Sequence, residues 1–266
     1  EILNLVIENP AVSMTGCLIE VLVEKKIKVI FCVSKRNPTA ELVPHHGSHD
    51  SSAKIRTQVA WQDDIKAAMW KEIISEKIRK QSDFLFELNK EREAELLLSY
   101  IGQVEMLDAT NREGHAAKVY FNALFGMDFT RSANIPVNAA LNYGYSLILS
   151  AFNREIAVNG YLTQLGIFHN NMFNHFNLSC DLMEPFRIAV DRVVYSAKPI
   201  QFEKEEKHAM WNILDQTVII DSTHQNLSRA IKIYTRSVFE SINDGDVSEI
   251  KFFEFDLDDD GFIIDI

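Results

Sequence analysis

A stretch of 36 residues, Ala53 to Leu88, contains neither glycine nor proline and constrains the fold more than any other part of the chain. Its apolar residues Met69, Ile73 and Ile78 recur at helical spacing, which predicts a long helix. Segments with the same period lie at 89–103, 111–125, 136–160, 182–195 and 227–242. The sequence therefore predicts a large all-α domain over residues 53–245.

The residues before position 53 follow a different pattern. Two apolar runs rich in β-branched residues, at 1–8 and 27–33, predict strands, and the segment 12–25 between them predicts a helix. We therefore expect a small N-terminal β-rich domain over residues 1–44, which is partial because the chain opens on strand sequence at Glu1. The fold class is α+β, with this small domain followed by the large all-α C-terminal domain.

The polar segment 45–52 predicts the linker between these domains. It contains three histidines, His45, His46 and His49, so a metal site is one reading of the segment. An exposed hinge explains the same composition without any ligand, and we favour it.

The net charge of −11 by itself argues against a nucleic-acid partner, but the distribution of the charged residues weakens this argument. Residues 246–266 hold eight acids and one lysine, and we interpret them as an acidic C-terminal tail. Everything before the tail carries only −4. A basic face elsewhere on the chain therefore remains open.

Cysteine usage and hydropathy bear on the compartment. Cys17, Cys32 and Cys180 are odd in number and widely spaced, which favours a reducing cytoplasm over a disulfide framework. Charged residues interrupt the most apolar N-terminal stretch, at 14–33, so we expect no membrane span and no signal peptide there.

The segment from His169 to Arg187 combines two histidines, four asparagines, two carboxylates and a proline within nineteen residues. No packing rule requires this mixture, and an imidazole with a nearby carboxylate suits a divalent ion. Glu113 is the candidate for a further carboxylate, because on a helix it shares its face with Ala116, Tyr120 and other small or apolar residues. The residues alone thus suggest a metal site.

Each of these residues also has an interpretation without chemistry. Asn111 is a possible cap for the third helix, with Glu113 merely in its first turn. Asp181 and Glu184 have the spacing of a capping box, although Pro185 places the helix start at Glu184. His169 alone fits a core histidine.

Three long runs occur together and in order: NREGHAAKVYFNALFG at 111–126, LNYGYSLILS at 141–150, and GIFHNNMFNHFNLSCDLMEPFR at 166–187, followed by VDRVVY. In this combination the chain resembles the CRISPR-associated adaptation integrase, Cas family one, and is most similar to its type II-A branch. CVSKRNPTAEL at 32–42 and HDSS at 49–52 also fit that branch.

The resemblance implies specific roles for residues of this chain. It implies that Glu113, His169 and Glu184 are catalytic and hold Mg²⁺ or Mn²⁺, with Asp181 as a supporting acid. Asn177 is a further candidate for orienting these ligands. Our candidates for DNA contacts are Arg187, Lys118 and Arg154.

The resemblance also implies an activity and partners. Members of the family dimerise and join the Cas family two protein to insert prespacer DNA into a CRISPR repeat array, a step of antiviral defence. The implied reaction is attack of a 3′-hydroxyl on a phosphodiester. Two alternatives stay open: a metal-dependent nuclease of branched DNA, and a non-catalytic DNA-binding scaffold subunit of the adaptation complex.

Overall fold

The computed structural model describes residues 2, 4–7, 9, 11–32, 38–45 and 50–256. In the N-terminal part, β1 (Asn4–Ile7) and β2 (Lys28–Cys32) run parallel, and α1 (Gly16–Glu24) connects them. The predicted strand, helix and strand are thus confirmed. A third strand, β3 (Pro38–Leu42), pairs antiparallel with β2 and was not predicted, since PTAEL lacks a β-branched run.

A long helical part follows the sheet, as predicted from the spacing of its apolar residues. Within the described residues its helices are α2 (Ser51–Val59), α3 (Asp63–Glu87), α4 (Glu91–Ile101), α5 (Arg112–Phe125), α6 (Pro136–Val158), α7 (Asn177–Leu182), α8 (Arg187–Ala197), α9 (Lys204–Trp211) and α10 (Leu227–Asp244).

The expected single helix over 53–88 is divided into α2 and α3. At the break, the buried Trp61 donates its Nε1–H to Asn243 Oδ1 at 2.9 Å. One turn earlier, Gln58 bonds to the backbone of Leu162 through both its amide atoms, each at 2.8 Å. These tertiary bonds redirect the chain where the local sequence would have continued the helix.

α3 is the central element of the helical part. Trp70, Ile73, Ile74 and Ile78 have no exposed surface, and burial extends around the whole helix rather than along one stripe. The helix packs against α4, α5, α8 and the 3-10 turn Glu184–Phe186. The N-terminal sheet joins the same body through α6, where the Ser150 hydroxyl donates to Glu41 Oε2 at 2.8 Å.

The prediction that the C-terminal domain is all-α is wrong. Strands β4 (Thr217–Ile220), β5 (Thr223–Asn226) and β6 (Glu254–Phe255) form an antiparallel sheet in the order β5-β4-β6. The turn residues Asp221 and Ser222 have φ of 52° and 58°, as a tight hairpin requires. The β-branched run TVII before this turn is typical of a strand, and the prediction of an all-α domain did not take it into account.

The first half of the predicted acidic tail is part of the folded core. Phe253 has no exposed surface, its ring centroid lies 4.5 Å from that of Phe186, and its carbonyl accepts a bond from Lys80. The packing of Phe252, Phe253 and Phe255 against the core outweighs the charge of the neighbouring acids. Residues 257–266 of the predicted tail, and 46–49 of the predicted linker, lie outside the described residues.

None of the helices in the described ranges has the length and apolarity that crossing a bilayer requires. The apolar stretch at 14–33 contains α1 and β2.

Candidate active site

Two predicted site residues meet at the middle of α3. Lys77 Nζ lies 2.6 Å from Glu113 Oε1, on the first turn of α5, and 2.6 Å from Glu184 Oε2, in the 3-10 turn before α8. Arg187 binds the same Glu184 through two contacts of 2.9 Å, from Nε to Oε2 and from Nη2 to Oε1. We call Lys77, Glu113, Glu184 and Arg187 the charge cluster.

Glu184 and Lys77 keep their charges although both side chains are buried. Burial alone would raise the pKa of Glu184, whose side chain is 4% exposed, but Arg187 and Lys77 outweigh burial and lower the pKa to about 2. Burial would lower the pKa of Lys77, but Glu184 and Glu113 raise it instead. Glu184 is therefore an anion and Lys77 a cation at neutral pH.

The start of α5 explains how Glu113 reaches Lys77. The backbone N–H groups of Arg112 and Glu113 donate to the Asp108 carboxylate at 2.7 and 3.0 Å, so Asp108 caps the helix. Asn111, the cap of the alternative interpretation, has φ 52° and makes no capping bond with its side chain. The Glu113 carboxylate is therefore not used at the helix terminus.

His169 is oriented by a buried acid. Its Nδ1 lies 2.5 Å from Asp181 Oδ1, and this bond raises the pKa of His169 against the opposing effect of partial burial. Glu184 and Glu113 raise the pKa further, which places the imidazole in the field of the charge cluster. With Nδ1 bonded to Asp181, Nε2 is the nitrogen left for a ligand.

Asp181 also fixes the loop that carries the histidine. Its Oδ2 accepts the N–H groups of Ile167 and Phe168 at 2.6 and 3.0 Å, and it has no exposed surface. A Cβ at Gly166 would lie 2.3 Å from the His169 carbonyl oxygen, so only glycine fits. Asp181 therefore serves the loop, and the capping-box interpretation with Glu184 is wrong.

Asn177, the other predicted supporting residue, closes the two ends of this loop. Its Nδ2 donates to the carbonyls of Gln164 and Asn171, both at 3.0 Å, and the residue is buried. His169 itself is not a core histidine, because 39% of its side chain is exposed. The loop thus presents an oriented and accessible imidazole.

The donor set has the chemistry of a site for a hard or borderline divalent ion. Glu113 and Glu184 already share a cation, the Lys77 ammonium, at 2.6 Å each. Over the part of the chain that the structure describes, no three His, Cys, Asp or Glu side chains are grouped to hold a metal ion. The two carboxylates thus converge on one cation, but the structure does not bring His169 into a single ligand group with them.

Lys77 was missed in the sequence. The signal was present, since Lys77 lies between Ile74 and Ile78 in the apolar stretch IISEKI, where a solvent-facing lysine is not expected. Periodicity alone gives no partner for it, because Glu113 and Glu184 are 36 and 107 positions away.

The three predicted DNA contacts occupy different surroundings. Arg187 belongs to the charge cluster, and its guanidinium lies 4.8 Å from the centre of the Tyr145 ring. Lys118 is exposed on α5, about 140° around the helix from Glu113. Arg154 bonds to Glu155 with only 13% of its side chain exposed. Their role in DNA binding stays a prediction.

Comparison with known proteins agrees with this architecture. The chain is 30% identical over 256 residues to the CRISPR-associated endonuclease Cas1 of Neisseria meningitidis serogroup C, covering 94% of this chain and 84% of the relative. Among solved structures it resembles a casposase bound to integration product, with a TM-score of 0.78, 18% identity, and coverage of 93% of this chain and 81% of the casposase.

A second solved structure, a Cas6-RT-Cas1–Cas2 complex, gives a TM-score of 0.72 at 16% identity, covering 93% of this chain and 31% of the matched chain. At such identities the structural matches establish the fold alone. The model of the family described as CRISPR associated protein Cas1 matches residues 1–212. This match and the Neisseria relative show that the chain belongs to the Cas1 family.

Proposed function

We propose that the chain is a metal-dependent DNA integrase of CRISPR adaptation, which inserts prespacer DNA into the repeat array. Family membership, relatives named as endonucleases and a fold neighbour solved with an integration product support this reading. The observation that carries it is the convergence of Glu113 and Glu184 on one cation, together with the effect of both carboxylates, which raise the pKa of His169.

In this proposal Glu113, Glu184 and His169 hold Mg²⁺ or Mn²⁺. When bound, the ion supplies polarisation of the phosphoryl oxygens and stabilisation of the charge on the leaving oxygen. Asp181 keeps the His169 ring oriented, and Asn177 keeps its loop closed. Lys77 leaves its position between the carboxylates, and together with Arg187 provides positive charge beside the reacting phosphate.

We further propose the cellular context that the resemblance implies: a homodimer that works with the Cas family two protein in the cytoplasm, within the type II-A branch. The similarity to a chain of a Cas1–Cas2 complex supports the partner. Lys118 and Arg154 remain candidate contacts to the DNA backbone.

The test is an in-vitro strand-transfer assay with the Cas family two protein, a prespacer duplex, a repeat plasmid and Mn²⁺. His169→Ala is compared with His175→Ala, because His175 is exposed in the same segment. We expect His169→Ala to lose joining by a factor on the order of 100 or more while it still binds DNA. His175→Ala should join DNA like the wild type.

Three results would overturn the proposal or part of it. Joining by His169→Ala at the wild-type rate removes the histidine from the site. Cleavage without joining by the wild type favours the nuclease of branched DNA. Assembly with the partner and DNA, but without joining or cleavage, favours the scaffold subunit.

A further inference from the structure

A cleft with a volume of about 740 Å³ lies between the turn after α1, the second half of α6 and the start of α10. Five cationic side chains line it: Lys25, Lys26, Arg154, Arg229 and Lys232. We call it the basic groove. None of its lining residues belongs to the charge cluster or to the loop of His169.

The basic groove is positively charged, whereas the chain as a whole carries a net charge of −11. The carboxylate that lines it, Glu155, is bound by Arg154. Over the described ranges, no acid forms an ion pair with either lysine of the turn, nor with Arg229 or Lys232. Of the acids near the groove, Glu155 pairs with Arg154 and Asp256 with His224. Like charges repel, so gathering the four other cations without ion-pair partners among the described residues works against the fold and indicates an anionic ligand.

Arg154 shows that the groove is built rather than a chance grouping of surface lysines. Only 13% of its side chain is exposed, and its Nε–H is buried without a hydrogen-bond acceptor in the described part of the chain. A buried donor without an acceptor costs free energy, so the fold holds the Arg154 side chain at this position at a cost. The first turn of α10 adds the positive end of a helix dipole.

The arrangement distinguishes between anions. The cations come from three separate segments of the chain, which suits an extended row of phosphates better than one small anion. Among the described residues that line the groove there is no Phe, Tyr or Trp on which an unpaired base would stack. The chemistry therefore favours backbone contacts over contacts to bases.

We propose that the basic groove binds the sugar–phosphate backbone of double-stranded DNA, at a site separate from Glu113, His169 and Glu184. The choice of DNA over another polyanion rests on the proposed function. The groove would hold the duplex part of a DNA substrate while the reacting phosphate lies at the charge cluster.

The experiment measures binding of the full chain to a fluorescent duplex of 30 base pairs, by anisotropy, in EDTA and between 50 and 200 mM NaCl. The groove variant is Arg229→Gln/Lys232→Gln. The control, Lys204→Gln/Lys251→Gln, removes the same charge outside the groove. We expect the groove variant to bind about 10-fold more weakly at low salt, and its log–log salt slope to fall by about 1.8, as for two lost phosphate contacts.

Equal losses in the two variants would show an effect of net charge alone and overturn the proposal, as would unchanged binding by the groove variant. Tighter binding of single-stranded DNA, or displacement of the duplex by polyglutamate of equal charge, would identify another ligand. Binding is measured in EDTA, where joining does not occur, so the two proposals fail separately. A wild type that binds DNA through the groove but does not join it in the strand-transfer assay contradicts only the proposed function. Circular dichroism establishes that both variants are folded.

Discussion

Glu184 and Asp191 are buried carboxylates seven positions apart, yet their pKa values shift in opposite directions. Glu184 is 3% exposed and Asp191 is 1% exposed. The pKa of Glu184 is lowered to about 2, despite burial, by Arg187 and Lys77. The pKa of Asp191 is raised to about 6, because burial outweighs its hydrogen bond from the Tyr145 hydroxyl and its more distant arginines.

The comparison shows that direct contacts, not burial, decide which acid is charged. Burial acts in the same direction on both, and only Glu184 has cations within 3 Å: Lys77 at 2.6 Å and Arg187 at 2.9 Å. A carboxylate kept as an anion is able to hold a cation, whereas one that takes up a proton near pH 6 is suited to a structural bond. The difference assigns Glu184 to the site and Asp191 to the core.

The largest effect is expected for Glu184→Gln, which leaves the buried Lys77 and the partly buried Arg187 with less negative charge beside them. Removing one partner of a buried ion pair costs about 3–5 kcal/mol. The measurement is the free energy of unfolding in urea at pH 7 without divalent ions. Glu240→Gln is the control, since its partner Arg236 and Glu240 itself are 72% and 57% exposed, and a loss of at most about 1 kcal/mol is expected. Similar losses in both would mean that the charge cluster is not a coupled unit.

The second prediction concerns Asp191 and pH. The folded protein binds this proton more tightly than the unfolded chain, whose aspartate pKa is about 3.9. The resulting stability is fully present below about pH 4 and is lost as the pH rises through about 6. Two pKa units correspond to about 3 kcal/mol.

Asp191→Asn removes this proton equilibrium while it keeps an oxygen that accepts from Tyr145. The stability of the variant relative to the wild type should therefore rise by about 3 kcal/mol between pH 4 and pH 7. Urea denaturation of both proteins at several pH values measures this difference. Parallel stability curves would contradict the assignment of Asp191 as a group with a raised pKa.

The same contrast explains which parts of the molecule could be predicted from the sequence. The strand, helix and strand at the N-terminus and most helices follow from local periodicity, which is a property of neighbouring residues. The meeting of Glu113 with Glu184 came from the resemblance, not from spacing. Lys77 was missed because its charge partners lie 36 and 107 positions away.

Segments rich in charge or turns were predicted least well. The acids of residues 246–256 concealed three aromatic residues that pack in the core, and Phe253 has no exposed surface. The strands β4 and β5 are short, and a four-residue run gives little signal beside long helices. In the sequence, Asp181 has the spacing of a helix cap. Its carboxylate instead accepts hydrogen bonds from the N–H groups of Ile167 and Phe168, which approach it only when the loop is folded.

The smallest expected effect is a difference in Mn²⁺ stabilisation between variants of the two buried lysines of α3. Lys77→Met removes the ammonium between Glu113 and Glu184, whereas Lys80→Met removes an ammonium that contacts Glu76 at 3.1 Å. If a divalent ion takes the position of the Lys77 ammonium, Mn²⁺ no longer competes with it in Lys77→Met. Mn²⁺ should then raise the midpoint of thermal unfolding by about 2–4 °C more in Lys77→Met than in the wild type, which corresponds to about 1 kcal/mol. Lys80→Met should show the wild-type increase even if it is less stable.

Equal increases in all three proteins would mean that the ion does not replace Lys77. The acids around Lys77 would then serve the fold, as Asp191 does.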